Sequence, residues 1–544
     1  MGKLNRDDLD RLESEYQESR QERDYIRVGM STCGIAAGAE PVYRFLCEEI
    51  RRRALDVEVR RSGCLGMCHA EPLVEVNAGG APRSLYGEVG LDAARRILDQ
   101  HVEKGLVLAG MLASQDGLLA PPEETVPRIG RQLRIVLRNC GIIDPTKIEE
   151  YIARGGYQGL KRALFELGPE SVIEEMRTAG LRGRGGAGYP TWLKWKLTRD
   201  AEGAEKYMIC NGDEGDPGAY MDRSVLEGDP HSVIEGMLIG ALAIGASQCY
   251  FYIRAEYPLA VDRIETAIKQ ARRMGLVGKN ILGSNFSCEM EVRLGAGAFV
   301  CGEETALIAS LEGRRGTPRP RPPYPAQYGL WQMPSNINNV ETLANVGPLI
   351  ARGGKWFASI GTESSKGTKV FAVTGKVRHS GLVEIPMGTT IREIVMDICG
   401  GAEGGKHIKA VQTGGPSGGV IPEELFDTPV SYESLQELGS IMGSGGLIVM
   451  DEDDCMVDIA GFYLGFCVEE SCGKCAPCRI GGKQVKMLLD KISARRATAK
   501  DVTELRRICH AMQKASLCGL GQTAPNPVLS TLRYFENEYE ALLQ

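Results

Sequence analysis

The sequence predicts a multi-domain α/β protein that ends in a helical bundle. Three observations carry that expectation. The chain has 544 residues, room for roughly three to five domains of ordinary size. Its patterning changes type along the chain: strand and helix signals alternate to about residue 365, paired strands follow at 368–399, and helical periodicity dominates from about 440. Its 17 cysteines gather in C-x2-C and C-x3-C groups, unlike the disulfide framework of a small secreted domain.

Taken in order, residues 5–25 are dense in charge, with Leu9, Leu12 and Tyr16 at helical spacing. They read as an exposed helix suited to lying on a partner. Next come a strand (Ile26, Val28), a loop with Cys33, a helix at Val42–Arg53, a strand at Leu55–Arg60, the turn Gly63-Cys64-Leu-Gly-Met-Cys68 and a strand at Leu73–Val76. That order fits a small thioredoxin-like domain over 1–110. Residues 111–145 read as a linker containing Ala120-Pro-Pro-Glu-Glu, with a strand at Leu133–Leu137. Residues 146–180 read as helical, and Ser171-Val-Ile-Glu174 has the pattern of a capping box. A large domain of alternating elements spans 146–365. Val370-Phe-Ala-Val-Thr-Gly-Lys-Val and Gly381-Leu-Val-Glu-Ile-Pro pair as strands, with a helix at Ile391–Ile398, which predicts a small β-grasp-like (SLBB-type) domain over 366–435. The helical bundle occupies 436–544.

Composition narrows the function. A net charge of −7 argues against a nucleic-acid surface, and six histidines argue against a multi-histidine metal enzyme. The charged start Met1-Gly-Lys-Leu-Asn-Arg-Asp-Asp lacks an apolar h-region, so no signal peptide is expected. The most apolar stretch, Gly236–Ala246, is shorter than the about 20 residues that span a bilayer. A reducing, cytoplasmic setting is expected. Glycine is abundant, 68 residues, and clusters in short loops where backbone can approach a ligand.

Gly183-Arg-Gly185-Gly186-Ala-Gly188 matches G-x-G-x-x-G, but a helix precedes it where a dinucleotide fingerprint needs a strand. Arg182, Arg184 and Lys194 beside open backbone N–H groups suit a phosphate, against the plainer reading of a turn between helices. Asn211-Gly-Asp213-Glu214-Gly-Asp216 follows a strand at Lys206–Cys210. Three acids in four positions repel unless they bind something. Ribityl or ribose hydroxyls are preferred here over a solvated loop or a hard-cation site. A strand at Cys288–Leu294 leads into Gly295-Ala-Gly297-Ala-Phe299-Val-Cys-Gly302-Glu303-Glu304 and a helix. Its carboxylates suit a ligand or simple capping. Asn338-Asn339-Val-Glu-Thr342 likewise suits a flat heterocycle or a helix cap.

Glu470-Ser-Cys472-Gly-Lys-Cys475-Ala-Pro-Cys478-Arg holds three cysteines at C-x2-C-x2-C, and Cys518 follows forty residues later. Three near thiolates and one distant one read as a [4Fe–4S] cluster, with structural zinc the alternative. Cys455, Cys467, Cys509 and Cys301 read as buried thiols, with His510 beside Cys509.

These motifs, in this order, resemble the NADH-oxidising flavoprotein subunit of respiratory complex I. They resemble still more closely its relatives in soluble bacterial hydrogenase, formate dehydrogenase and transhydrogenase complexes. The resemblance covers roughly residues 145–540. It implies a Rossmann-like core holding FMN through Gly183, Arg184, Gly185, Gly186, Lys194, Asn211, Asp213, Gly302, Glu303, Asn338, Asn339 and Thr342. It implies NAD(H) near Tyr189, Asp216, Phe299, Glu304, Arg321 and Tyr324, with Cys472, Cys475, Cys478 and Cys518 on the [4Fe–4S] cluster. Tyr189 and Tyr324 stand where phenylalanine is usual, Asp216 where glutamate is, and Arg321 where lysine is, which leaves NAD against NADP open.

The first 110 residues resemble the thioredoxin-like [2Fe–2S] fold of the family's companion subunit. Of its C-x4-C…C-x3-C pattern, Cys33, Cys64 and Cys68 remain and Val28 takes the first place. Either that cluster is lost or a rearranged loop supplies a fourth ligand; three retained cysteines favour the second. Cys47 lies on the wrong stretch, and His69 is expected to point away. The implied activity is an NAD(P)H-oxidoreductase module. A hydride passes between nicotinamide and flavin, and single electrons then pass to the cluster. The implied partners are a small thioredoxin-like [2Fe–2S] companion subunit, a further iron–sulfur or catalytic subunit and, where the complex bifurcates electrons, ferredoxin. An electron-transfer wire without nucleotide turnover is the alternative.

Overall fold

The computed structural model describes residues 3–20, 23–113, 128–129 and 131–544. Helix α1 (Arg6–Arg20) packs its apolar face on the chain itself. Leu9 and Leu12 are 0% and 2% exposed, and Lys161 and Gln158 grip Asp10. The i, i+3 apolar pair is covered by the chain's own residues 148–161, and only the opposite face is solvated. The linker expected around Ala120 lies outside the described residues.

The N-terminal sheet has strands β1 (Tyr25–Gly29), β2 (Glu58–Ser62), β3 (Val74–Asn77) and β4 (Ser84–Tyr86), ordered β2-β1-β3-β4. β1 runs parallel to β2 and antiparallel to β3. Helices α2 (Thr32–Ala36) and α3 (Ala39–Arg53) connect the parallel pair. Val42, Leu46 and Ile50 of α3 bury against Ile26, Val28, Val74 and Val76. This unit packs tightly on the rest: a β-carbon at Gly63 would lie 2.3 Å from the Gly228 Cα, and the Leu382 N–H donates to Gly66 O at 2.8 Å.

Two expectations for the stretch before the central sheet are corrected. Only Leu133 of the expected strand Leu133–Leu137 is paired, with Arg128. The N–H groups of Ile135, Val136 and Leu137 all donate to the buried Glu384 carboxylate, at 2.8–2.9 Å, so no ladder partner is needed. Ser171 is not a cap. Helix α4 (Gly168–Ala179) begins three residues earlier with a proline in its first turn, which needs no N–H partner there.

The central sheet has strands β5 (Tyr207–Gly212), β6 (Gln248–Arg254), β7 (Glu289–Gly295) and β8 (Ser335–Asn339), all parallel and ordered β8-β5-β6-β7. Helices α5 (Thr191–Asp200), α6 (Met221–Gly228), α7 (Pro230–Ile244), α8 (Pro258–Arg273), α9 (Glu304–Leu311) and α10 (Val340–Arg352) surround it. α7 is buried all round and mostly apolar, and its one buried acid, Glu235, is met by Tyr151 Oη and the Tyr157 and Leu160 N–H groups. Parallel strands covered on both faces present their carboxyl ends as the open edge, where ligands of such sheets bind.

The next sheet has strands β9 (Thr368–Gly375), β10 (Gly381–Pro386), β11 (Ile408–Thr413), β12 (Val420–Pro422) and β13 (Gly446–Asp451), ordered β10-β9-β13-β11-β12. The expected hairpin is β9–β10. The boundary placed at 435 falls inside this sheet, because β13 sits at its centre. Its run Gly-Leu-Ile-Val-Met-Asp is apolar without alternation, so period alone does not separate it from the helices that follow. Helices α11 (Met456–Glu469), α12 (Gly482–Ser493), α13 (Ala499–Ala515) and α14 (Asn526–Tyr534) close the chain around Leu464, Val485, Leu489, Cys509 and Met512. No helix among the described residues is long and apolar enough to cross a membrane.

Candidate functional site

The carboxyl ends of β5 and β8 meet in register at Asn211 and Asn339. Most polar side chains there are committed to local structure. Asn211 donates to Gly302 O at 3.0 Å and accepts from the Asp213 N–H at 3.0 Å. Asn339 caps α10 through the Thr342 N–H and donates to Asp222. Glu303 caps α9 through the Thr305 and Ala306 N–H groups, both at 2.9 Å. Asn338 bonds Asn336 at 2.8 Å and takes the Trp195 indole N–H at 3.4 Å. The capping readings of Glu303 and Asn339 therefore hold, and these side chains shape the site more than they offer free donors to it.

The phosphate role read for Arg182 and Arg184 is corrected. Arg184 is 0% exposed, and its guanidinium donates to the carbonyls of Thr368, Arg182 and Lys366. Its backbone N–H donates to Thr342 Oγ1 at 2.8 Å. Arg182 pairs with Glu433 and stacks on Tyr432. The charge beside the glycine loop thus goes to bracing it. No local pattern announces that brace, which comes from far along the chain: Tyr432 donates to Gly183 O at 2.8 Å, and Gly443 bridges Gly186. Gly186 is held at a φ of +126°, a backbone conformation that favours glycine, with the Gly443 backbone in contact beside it.

The acidic loop is buried rather than solvated. Burial pushes Asp213 and Glu214 up to about 7 and Asp216 up to about 6. Glu214 is satisfied by the Asp222 and Arg223 N–H groups, and Asp216 by the Ser444 hydroxyl at 2.5 Å. Asp213 is not satisfied. Both of its carboxylate oxygens are buried and lack a hydrogen-bond partner among the described residues, the nearest cation being Arg254 Nε at 3.9 Å. A buried orphan acceptor is costly unless a ligand hydroxyl meets it. No protein partner for the Lys194 ammonium is found among the described residues either. Burial holds its pKa down, opposed by Glu304. A carboxylate without hydrogen-bond donors and an ammonium without a protein partner among the described residues fit a flavin mononucleotide, with hydroxyls for the first and a phosphate or flavin carbonyl for the second.

Outside them lies a rim. Glu304 and Arg321 pair at 2.6 Å, and their charges act on Lys194. Tyr189 and Tyr324 are large aromatics left 47% and 53% exposed, as a stacking surface for a planar ligand requires. Phe299 packs on Phe466, ring centroids 5.3 Å apart, with its ring over Gly215.

Cys472, Cys475, Cys478 and Cys518 line one cavity with Val300, Pro318, Leu517 and Leu520. Burial raises the Cys478 thiol and pushes Cys518 up to about 11, so thiolates there need a cation. Ser471 Oγ lies 3.2 Å from Cys478 Sγ, and Lys474 ties the loop to Pro318 O at 2.6 Å. Among the described residues no three ligating side chains converge closely enough for a single metal ion. Four sulfurs spread around a cavity fit a cubic cluster better than zinc.

The N-terminal cysteines also come together. Cys33 and Cys64 lie near enough to Cys68 to push its thiol well above the usual range. Contact with Cys68 and the nearby Arg223 cation hold the Cys33 thiol down to about 6. Val28 is buried in the core, Cys47 is on α3, and His69 turns to Ser380 and His379.

Comparison with known proteins agrees with this geometry. Residues 176–348 match the Nuo51 FMN-binding domain, and residues 458–542 match the NADH-ubiquinone oxidoreductase-F iron-sulfur binding region. The NADP-reducing hydrogenase subunit HndC of Solidesulfovibrio fructosivorans is 55% identical over 411 residues, 76% of this chain and 84% of that protein. An NADH-quinone oxidoreductase subunit of Aquifex aeolicus (strain VF5) is 43% identical over 417 residues, 76% of this chain and 96% of that protein. Among solved structures, the NAD+-reducing [NiFe]-hydrogenase in the H2-reduced state is similar over 98% of this chain and 87% of that chain, with a TM-score of 0.67 and 29% identity.

Proposed function

Because the chain belongs to the family of NADH-quinone oxidoreductase subunits that carry the Nuo51 FMN-binding domain and the [4Fe–4S] region, we propose that it is the NAD(P)H-oxidising subunit of a soluble multi-subunit complex. It is an NADH dehydrogenase module whose cofactors are FMN and a [4Fe–4S] cluster. One observation carries the reading. The turn 299–304 touches three places at once. The Phe299 N–H donates to Glu470, two residues before Cys472, at 2.9 Å. Gly302 O accepts from Asn211 at the flavin strand. Glu304 pairs with Arg321 at the rim. Nucleotide, flavin and cluster sites thus share one short segment.

Bound FMN supplies two-electron exchange with nicotinamide and one-electron exchange with the cluster. The residues bind and orient. Asp213 and Lys194 hold the flavin's polar groups, the glycine loop shapes its cradle, Tyr189 and Tyr324 flank the nucleotide, and Glu304 with Arg321 fixes its polar end. No side chain needs to act as a general acid or base. In finer terms, residues 1–110 form a thioredoxin-like domain, the central sheet a Rossmann-like domain and the following sheet a β-grasp-like one. The complex pairs this chain with a small thioredoxin-like [2Fe–2S] subunit and a further iron–sulfur or catalytic subunit. It bifurcates electrons with ferredoxin where that partner is present.

Anaerobic titration of the yellow protein with NADH and with NADPH tests the reading. Wild type bleaches with a reduced nucleotide. Glu304→Gln frees Arg321 from its pair and raises the nucleotide concentration needed by roughly ten- to a hundredfold, the loss of one charged hydrogen bond, while flavin content is unchanged. A wild-type flavin that neither nucleotide bleaches would leave an electron wire without nucleotide turnover. Equal loss of flavin and of nucleotide response in the variant would contradict the division of roles.

A further inference from the structure

The N-terminal cysteine set has three thiols and, beside them, a carboxylate with one buried oxygen that lacks a hydrogen-bond partner among the described residues. Glu71 follows Cys68 by three residues. Its Oε2 accepts the Leu73 N–H at 3.1 Å, but Oε1 is buried without a hydrogen-bond partner among the described residues. The carboxylate occupies the notch between the end of β1 and Cys33: a β-carbon at Gly29 would lie 3.5 Å from Oε2, and one at Gly34 3.1 Å. Gly29 adjoins Val28, which holds the place of the absent cysteine and is buried in the hydrophobic core. Glu71 thus comes to the thiols from the side where a ligand is missing.

Two further groups face the set. Tyr220 Oη lies 3.3 Å from Cys68 Sγ, and Arg223 Nη2 donates to Cys33 Sγ at 3.5 Å. A hydroxyl and a cation beside three thiols and a carboxylate match the outer hydrogen bonds and charge balance that metal thiolates require. No three of these ligating side chains converge tightly enough for a single ion, as is also true at the C-terminal cysteines.

We propose that Cys33, Cys64, Cys68 and the Glu71 carboxylate hold a two-iron, two-sulfide cluster, with Glu71 as the oxygen ligand in place of the fourth cysteine. Arg223 and Tyr220 are positioning residues that hold the thiolates. Both stand on the segment that begins at Asp213, so the centre is anchored to the flavin loop. The proposal does not depend on which nucleotide is used.

Iron, acid-labile sulfide and low-temperature EPR of the full-length chain, purified anaerobically and reduced with dithionite, test it. Wild type is expected to hold about six irons, four in the C-terminal cluster and two here. Glu71→Ala loses about two of them and one EPR signal, with flavin content kept. Glu71→Cys keeps about six, with an altered EPR line shape and midpoint potential, because a thiolate replaces an oxygen ligand. The second variant guards against simple misfolding in the first. Wild type holding only about four irons, Glu71→Ala keeping six, or Glu71→Cys with six irons and an unaltered spectrum would each overturn the assignment.

Discussion

Asp213 is where burial makes the strongest demand on a single residue. Its folded-state pKa, about 7, lies above the ordinary 3.8 because burial disfavours the charge. The folded flavin-free chain therefore binds more protons than the unfolded one between about pH 4 and pH 7. Stability from this group is present below the ordinary value and is lost as pH rises through about 7. Glu214 and Asp216, also raised, act in the same direction. The flavin-free chain is thus expected to melt at a lower temperature at about pH 8 than at about pH 5. Asp213→Asn should shrink that difference by a few °C, and added FMN should shrink it in wild type by giving the carboxylate hydroxyl donors. Melting curves across this range check both. Identical pH slopes in wild type and variant would count against an orphan charge at Asp213. At this scale the acids are legible in the sequence as a binding loop. Which acid is left unpaired is not, because Ser444 and the first N–H groups of α6 reach the other two from elsewhere in the chain.

At the scale of elements, the glycine loop at 183–188 is held by the sheet that follows the central domain. Tyr432 and Gly443 brace its backbone, and the Arg184 guanidinium reaches carbonyls at 366 and 368. Gly186→Val forces a branched residue to a φ of +126°, a strain of about 1–3 kcal/mol, against the Gly443 backbone. Flavin should be lost on gel filtration while iron content stays at the wild-type level. Tyr432→Phe removes one hydrogen bond, about 1 kcal/mol, and should weaken flavin retention severalfold without emptying the site. A yellow, fully loaded Gly186→Val protein would contradict this. Distance along the chain also decides which elements the sequence makes legible. The strand–loop–helix units around β5 and β7 are legible because each is local. The brace from Tyr432, the central place of β13 and the carboxylate clamp of Glu384 on 135–137 join segments far apart, and no periodicity announces them. α1 differs from expectation for a related reason: Leu9 and Leu12 could face any apolar surface, and the one they cover is built by residues 148–161.

Across the whole molecule, the proposed path runs from the Glu304–Arg321 rim, past the glycine loop, to the cavity of the four cysteines, joined by the turn 299–304. The C-x2-C-x2-C run and Cys518 mark the end of that path in the sequence, and the structure gathers all four sulfurs around one cavity. The most direct test separates flavin reduction from electron exit. Wild type and Cys478→Ala, each purified anaerobically with FMN bound, are mixed with NADH, and the flavin band and the EPR signal of the reduced cluster are followed together. Bleaching is expected in both proteins, and the EPR signal of the [4Fe–4S] cluster in wild type alone. The variant should also lose at least tenfold in reduction of an artificial one-electron acceptor that draws on the cluster. Full iron content with a normal cluster signal in Cys478→Ala, or a wild-type flavin that NADH reduces without any cluster signal, would contradict such a path.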